Sequence, residues 1–147
     1  MAKFFKKQNI KIQKSDMNTI KHALLKGDEK FLDHTKSVAL YGKLYWRKSN
    51  KKLNVGDIVY LFMIGKGHFQ IRYKLEVTHT NASRPDKECW LAPFVPDDNC
   101  LEFTPIADMY EGKQLGYDEL ESIGISRHVQ YSFLNEEQVN FIDKYFK

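Results

Sequence analysis

Five histidines, two cysteines and nineteen carboxylates are the side chains of this 147-residue chain that could carry catalysis. Their spacing favours none of the familiar arrangements. His22, His34, His68, His79 and His128 form no H-E-x-x-H pair, and Cys89 and Cys100 have no C-x-x-C partner, so no metal site is expected. A Cys–His nucleophile pair would depend on closeness in space, which spacing does not decide; buried free thiols are the plainer reading. There is no G-x-x-x-x-G-K-[ST] loop and no G-x-G-x-x-G fingerprint, so no nucleotide cofactor is expected. Gly65-Lys66-Gly67 reads as a hairpin turn, and Asp97-Asp98-Asn99 as another. No two carboxylates stand out as an acid/base couple. The expectation is a binding module rather than an enzyme, with no catalytic residues, metal or cofactor.

Aromatic and basic residues are the more informative types. Tyr41, Tyr45 and Trp46 precede a polar turn, and Tyr60, Phe62 and Tyr73 sit on a predicted hairpin. A nucleobase stacks on such rings, and a Tyr hydroxyl or Trp N–H can hydrogen-bond it. The competing role is core filling, which suits Phe62 and Tyr73. Trp46, just before the basic turn, suits either. The charge is lopsided: residues 1–53 hold 14 lysines and arginines against four acids, a net +10, while residues 54–147 net −6. A basic half calls for a polyanion, and nucleic acid is the commonest one, although a lysine-rich solubilising surface would look the same. Thirteen of those fourteen cations are Lys, which grips phosphate but lacks the planar fork that reads bases. Lys43, Arg47, Lys48, Lys51 and Lys52 are therefore the candidate phosphate contacts, positioning a partner rather than reading it.

The elements that must position these residues can be read from pattern. Residues 1–18 form a basic arm, in which Asn9–Ile12 could add an edge strand. Ile20 to Leu25 is short and apolar and predicts a strand, followed by a turn at Lys26-Gly27-Asp28, with Asp28 placed to cap a short helix to about Thr35. Leu53-Asn54-Val55-Gly56-Asp57 looks like a tight turn launching a strand. Ile58 to Ile64 is apolar on both faces and suits a central strand. Gln70 to Thr80 alternates, with Ile71, Tyr73, Leu75 and Val77 on one face and Arg72, Lys74, Glu76 and Thr78 on the other, as in a half-exposed antiparallel strand. Glu88–Val95 and Leu101–Ile106 are further candidate strands. Helices are predicted near 118–123, where Asp118 and Glu121 have cap spacing, and near 135–147. For the latter, Asn135 caps, Gln138 sits three residues on, and Val139, Ile142 and Phe146 form the buried stripe. The result is one α+β domain.

The composition excludes collagen-like, coiled-coil and disordered classes. The longest strongly apolar run, Ile58 to Ile64, is far short of the ~20 residues that span a bilayer. The N-terminus lacks the apolar stretch of a secretory signal, so a cytoplasmic protein without membrane contact is expected.

The segments Gly42-Lys43-Leu44-Tyr45-Trp46, Leu53-Asn54-Val55-Gly56-Asp57-Ile58-Val59-Tyr60-Leu61-Phe62 and Ile71-Arg72-Tyr73-Lys74-Leu75-Glu76-Val77 together resemble EVE domains of the PUA-like superfamily. Ile123-Gly124-Ile125, Gln130, Leu134 and the helix to Phe146 are similar to the C-terminal elements of that family. The resemblance covers residues 19–147. It implies a PUA-like, mostly antiparallel β-barrel with inserted and C-terminal helices. It also implies a small pocket for a modified nucleobase, often in restriction or RNA-processing systems, with DNA or RNA as the partner. Matching positions put Trp46 at the pocket wall and make Gly56 and Asp57 structural. Many EVE domains open with a strand bearing a pocket tryptophan; here Lys21-His22-Ala23-Leu24-Leu25-Lys26 has none, which leaves that wall to other groups. The expected base-binding set is Trp46 with Tyr41, Tyr45 and Tyr60 as walls and Arg72 nearby. A small nuclease using histidines on the basic face, and a protein-interaction module using the acidic half, are the alternatives. Oligomeric state is not legible.

Overall fold

The computed structural model describes residues 19–146; the predicted basic arm and its edge strand lie outside the described residues. Strand β1 (His22–Asp28) leads to helix α1 (His34–Tyr41) and strand β2 (Leu44–Arg47). Strands β3 (Ile58–Gly65) and β4 (His68–Ala82) form the predicted hairpin, followed by β5 (Cys100–Pro105). Helix α2 (Tyr117–Glu121), strand β6 (Tyr131–Phe133) and helix α3 (Glu136–Asp143) complete the chain. The strands make one sheet in the order β2-β5-β4-β3-β1-β6. Every pairing is antiparallel except β1 with β3. The sheet is therefore α+β and mostly antiparallel as expected, but its ladders do not close into a ring: β2 and β6 are its two edges.

The parallel pair is set by one buried carboxylate. Asp57 accepts the Asn54 N–H at 2.8 Å and the Lys21 N–H at 3.0 Å, and Lys21 Nζ lies 3.3 Å away. The first bond closes the turn, in which Gly56 takes φ +98°, a conformation that only glycine adopts at little cost. The second ties the start of β1 to the start of β3 and fixes the register His22↔Ile58. Asp57 is thus structural, as the resemblance implied.

Strand β3 buries both faces, as its unbroken apolar run requires. Val59, Leu61 and Met63 join one core with Leu25, Leu75 and Phe103; Tyr60 and Phe62 join another with Leu120, Ile142 and Phe146 of the helical side. Strand β4 departs from the expected alternation. Leu61 faces Tyr73 while Phe62 faces Ile71, so Arg72 is an extra, unpaired residue. This bulge sends Ile71 into the second core and leaves Tyr73, Leu75 and Val77 in the first. Arg72, expected on an open face, is buried.

Helix α1 starts later than expected. Asp28 accepts the Lys30 N–H within the turn, and Asp33 is the cap, accepting the Lys36 N–H at 3.0 Å. Gly42 ends the helix at φ +67°. The helix near residue 117 is likewise capped by Gly116, whose N–H donates to Glu119 at 3.0 Å, rather than by Asp118. Segment 88–95 is not a strand: it is a short 3-10 turn, Lys87–Cys89, and a loop that meets the rest through the Leu32–Trp90 bridge. Its side chains serve a cleft instead of a ladder. Asn135 and Gln138 form the reciprocal cap predicted for α3, at 2.8 and 2.9 Å.

Candidate functional site

A cleft of about 430 Å³ opens on the first core's side, between the end of β1, the start of α1, strand β2 and the loop 83–99. This volume lies within the ~300–1,000 Å³ of small-molecule sites. Both tryptophans of the chain line it.

Trp46 comes from edge strand β2, half-buried, and packs on the first core. His34 stacks on it with ring centres 5.5 Å apart, and Phe103 meets it at a tilt. Both stacked rings sit hard against the backbone of β1. A Cβ on Gly27 would lie 2.8 Å from His34 Nε2 and 2.9 Å from Trp46 Cη2, so only glycine admits this packing. His34 Nδ1 lies 2.5 Å from buried Glu29, so the ring is held between that carboxylate and the backbone at Gly27, which Nε2 faces. Burial alone would raise the Glu29 carboxyl, but the His34 hydrogen bond and charge outweigh it and hold Glu29 below the ordinary carboxylate range.

Trp90 comes from the loop. Arg84 stacks on its ring, 4.7 Å from guanidinium carbon to ring centre, and is itself clamped by Asp86 at 2.9 and 3.2 Å and by the Tyr45 carbonyl at 2.7 Å. Asp86 has no solvent exposure, so the loop hangs on a buried, bidentate ion pair. Further ties come from Asp33 N–H to the Cys89 carbonyl at 2.8 Å and Leu91 N–H to the Phe31 carbonyl at 2.9 Å. The indole N–H of Trp90 is buried and has no acceptor among the described residues. The wall also holds the carboxylates of Asp28 and Asp97, and Arg47. At the mouth, Phe31 and Val95 remain more than half exposed, at 53% each. The cleft therefore offers aromatic surface, donors and acceptors together. Among the described residues, no three His, Cys, Asp or Glu side chains group to hold a metal ion.

No protein-family model matches the sequence, and no curated protein matches it. Solved structures do match its fold. A hypothetical protein from Leishmania major superposes with a TM-score of 0.57 at 15% identity, covering 86% of this chain and 94% of that one. The human THYN1 protein, solved in complex with 5-methylcytosine-containing DNA, gives 0.56 at 12% identity, covering 83% and 95%. A protein from Pseudomonas putida gives 0.56 at 15% identity, covering 84% and 97%. At 12–15% identity these likenesses show a shared fold, one that the DUF55 domain of human thymocyte nuclear protein 1 also has.

On that fold the expected site residues separate into two groups. Trp46, Tyr45 and Arg47 line the cleft. Tyr45 is itself mostly buried, and burial raises its pKa. Tyr41, Tyr60 and Arg72 do not line it. The Tyr41 hydroxyl donates to the Pro85 carbonyl at 2.8 Å and to the Glu88 carboxylate, and this bond pushes its pKa up to about 12; it props the loop. Tyr60 belongs to the second core, because its place in β3 points it to the opposite face from Val59 and Leu61, and its hydroxyl donates to Asp143 at 2.6 Å. Arg72 sits in a separate cleft.

The basic turn is partly committed. Lys43 faces Glu102 at 3.4 Å, Lys48 reaches Asn81 and Asn99, and Lys51 donates to the Arg47 carbonyl. Arg47 and Lys52 are exposed. Sequence reasoning missed Trp90, His34, Arg84 and Gly27. Trp90 was legible only as the chain's second tryptophan; nothing in its spacing ties it to Trp46.

Proposed function

We propose that this chain is a nucleic-acid-binding module that takes an extruded, modified base into the Trp46–Trp90 cleft. The observation that carries the reading is the cleft itself: two tryptophans framing a base-sized space, with polar groups on the same wall. The fold shared with human THYN1, solved with 5-methylcytosine-containing DNA, supports the same reading. Extruding a base costs a few kcal/mol, and each stacked ring returns ~1–3 kcal/mol. The Trp90 N–H suits a carbonyl or ring nitrogen of the base. The carboxylates of Asp28 and Asp97 suit an exocyclic amine such as cytosine N4. A methyl group adds apolar surface that a pocket of fixed shape either accepts or refuses. Arg47 on the cleft wall, with Lys48, Lys51 and Lys52 of the turn that follows it, would hold the backbone, with Lys43 secondary because of its tie to Glu102.

The test is binding of oligonucleotides that differ in one base modification, in DNA and RNA forms, to wild type and to Trp46→Ala and Trp90→Ala variants checked to be folded. The reading expects a preference for one modification and a loss of roughly 5- to 150-fold in each variant, the equivalent of ~1–3 kcal/mol. Full affinity and unchanged preference in both variants would end it. Affinity should also fall with salt, with a slope near −0.9 per phosphate contact on duplex DNA.

A second reading, a nuclease, has one observation behind it: His34 lines the cleft with a carboxylate on its Nδ1, an arrangement able to move protons. Cleavage of labelled DNA or RNA, abolished by His34→Gln in a folded protein, would select it.

A further inference from the structure

Arg72 is the most conspicuous unused group in the molecule. The bulge in β4 turns it inward, leaving the residue only 7% exposed. Among the described residues its Nε has no acceptor, and no carboxylate forms an ion pair with it. A guanidinium stays charged at any physiological pH, and burying it without a counter-charge is costly. The protein carries this cost at a cleft, not in a sealed core: Arg72 lines a space of about 440 Å³ together with Lys66, His68 and the exposed Thr35.

Two carboxylates share the cleft, and both are already taken. Glu29 is bonded to His34 at 2.5 Å; Asp33 accepts the Lys36 N–H at 3.0 Å and lies 3.5 Å from Lys66 Nζ. Lys36 Nζ is spent on the Glu88 carbonyl at 3.0 Å. What remains without a carboxylate partner is Arg72, with His68 beside it; Lys66 has a long pair to Asp33 on a half-exposed side chain and is free to swing toward a ligand. A planar fork in a concave site flanked by further donors matches an oxyanion, and a tetrahedral phosphate best, since it offers oxygens to the fork and to the flanking groups at once.

We propose that the Arg72 cleft is a phosphate-binding site, with Arg72 as principal ligand and Lys66 and His68 as flanking donors. The site is separate from the aromatic cleft, although they share a wall: Glu29 lines one and its partner His34 the other. It stands on the unpaired guanidinium, whatever the aromatic cleft binds. Its phosphate can come from a nucleic-acid backbone or from a free phosphoryl compound.

The experiment is a titration of the full chain with inorganic phosphate against chloride of equal ionic strength. It is read by thermal melting and by the Nε–H resonance of Arg72. Wild type should melt higher as phosphate rises, saturably, with a shift of the Arg72 Nε–H signal. Arg72→Met, which keeps the bulk without the charge, should melt above wild type in chloride and lose the phosphate response. Lys66→Ala should weaken the response without touching the buried residue. If wild type shows no phosphate-specific change in melting or in the Arg72 signal, the proposal is overturned, whether or not Arg72→Met folds. The same variants titrated with a duplex oligonucleotide separate the sources. A weaker duplex affinity with a salt slope shallower by about one marks a backbone phosphate. Unchanged duplex affinity with a lost phosphate response marks a free phosphoryl ligand.

Discussion

Gly27→Ala tests how the aromatic cleft is built. The backbone of Gly27 is ordinary strand, paired with Met63, so alanine meets no conformational penalty there. The whole effect is steric. The added methyl would sit 2.8 Å from His34 Nε2 and 2.9 Å from Trp46 Cη2, where unstrained contacts are ~3.5–4 Å, so one or both rings must retreat by nearly an ångström. His34 cannot retreat freely, being held by Glu29 at 2.5 Å, so Trp46 is the ring expected to move. Overpacking of this kind costs ~1–3 kcal/mol, a fall of roughly 3–12 °C in melting temperature for a chain of this size. The chain has two tryptophans, so a Trp90→Phe background isolates Trp46. In that background Gly27→Ala should shift Trp46 emission to longer wavelength as the ring gains solvent, and base affinity should fall with it. An unchanged melting temperature together with unchanged emission would refute the close packing of Gly27, His34 and Trp46.

Other substitutions address the remaining parts. Asp86→Asn should cost about 3–5 kcal/mol in chemical denaturation, because it strands the Arg84 guanidinium against Trp90 in a buried position; a cost below ~1 kcal/mol would mean the loop is held by other contacts. Tyr60→Phe should cost about 1–1.5 kcal/mol, since Asp143 keeps its ion pair with Lys74 at 2.9 Å, and should leave oligonucleotide binding untouched; impaired binding in a stable variant would return Tyr60 to the site. The Glu29 carboxyl is held below its ordinary value near 4.5, so the native state binds fewer protons than the unfolded chain in that range. The stability due to its pairing with His34 should therefore be fully present above pH ~4.5 and be lost as pH falls through the lower native value. Melting curves of wild type and Glu29→Gln across this acid range should converge as pH drops, and parallel curves would contradict the pairing.

Much of the framework was legible because it depends on local pattern. The hairpin β3–β4 follows from an apolar run, a glycine turn and an alternating strand. The start of β3 follows from Val55-Gly56-Asp57, where a positive φ and a short carboxylate are both needed within a few residues. The reciprocal cap of α3 follows from Asn135 and Gln138 three residues apart. Each is decided by neighbours in sequence, which is why residue type and spacing sufficed. Trp46 was singled out for the same reason, because it stands beside a strongly basic turn, and the structure places it in the cleft wall. The pattern failed where a single residue changed the count. One extra residue at Arg72 rotated the strand's faces relative to each other, moved Ile71 to another core and buried a cation expected on the surface.

The cleft's composition was decided by tertiary structure alone. Gly27, His34, Trp46, Arg84 and Trp90 come from a strand, a helix start, an edge strand and a long loop, and nothing in their spacing relates them. They meet because the parallel pairing of β1 with β3 carries the end of β1 past the start of α1. They also meet because the buried Arg84–Asp86 pair lays the loop 83–99 over Tyr45. A residue's own chemistry shows that it can stack or carry charge. Which face of a sheet it occupies, and which distant ring it meets there, depends on long-range register, and for this protein that register turned Tyr60 into core, Tyr41 into a prop and Trp90 into a wall.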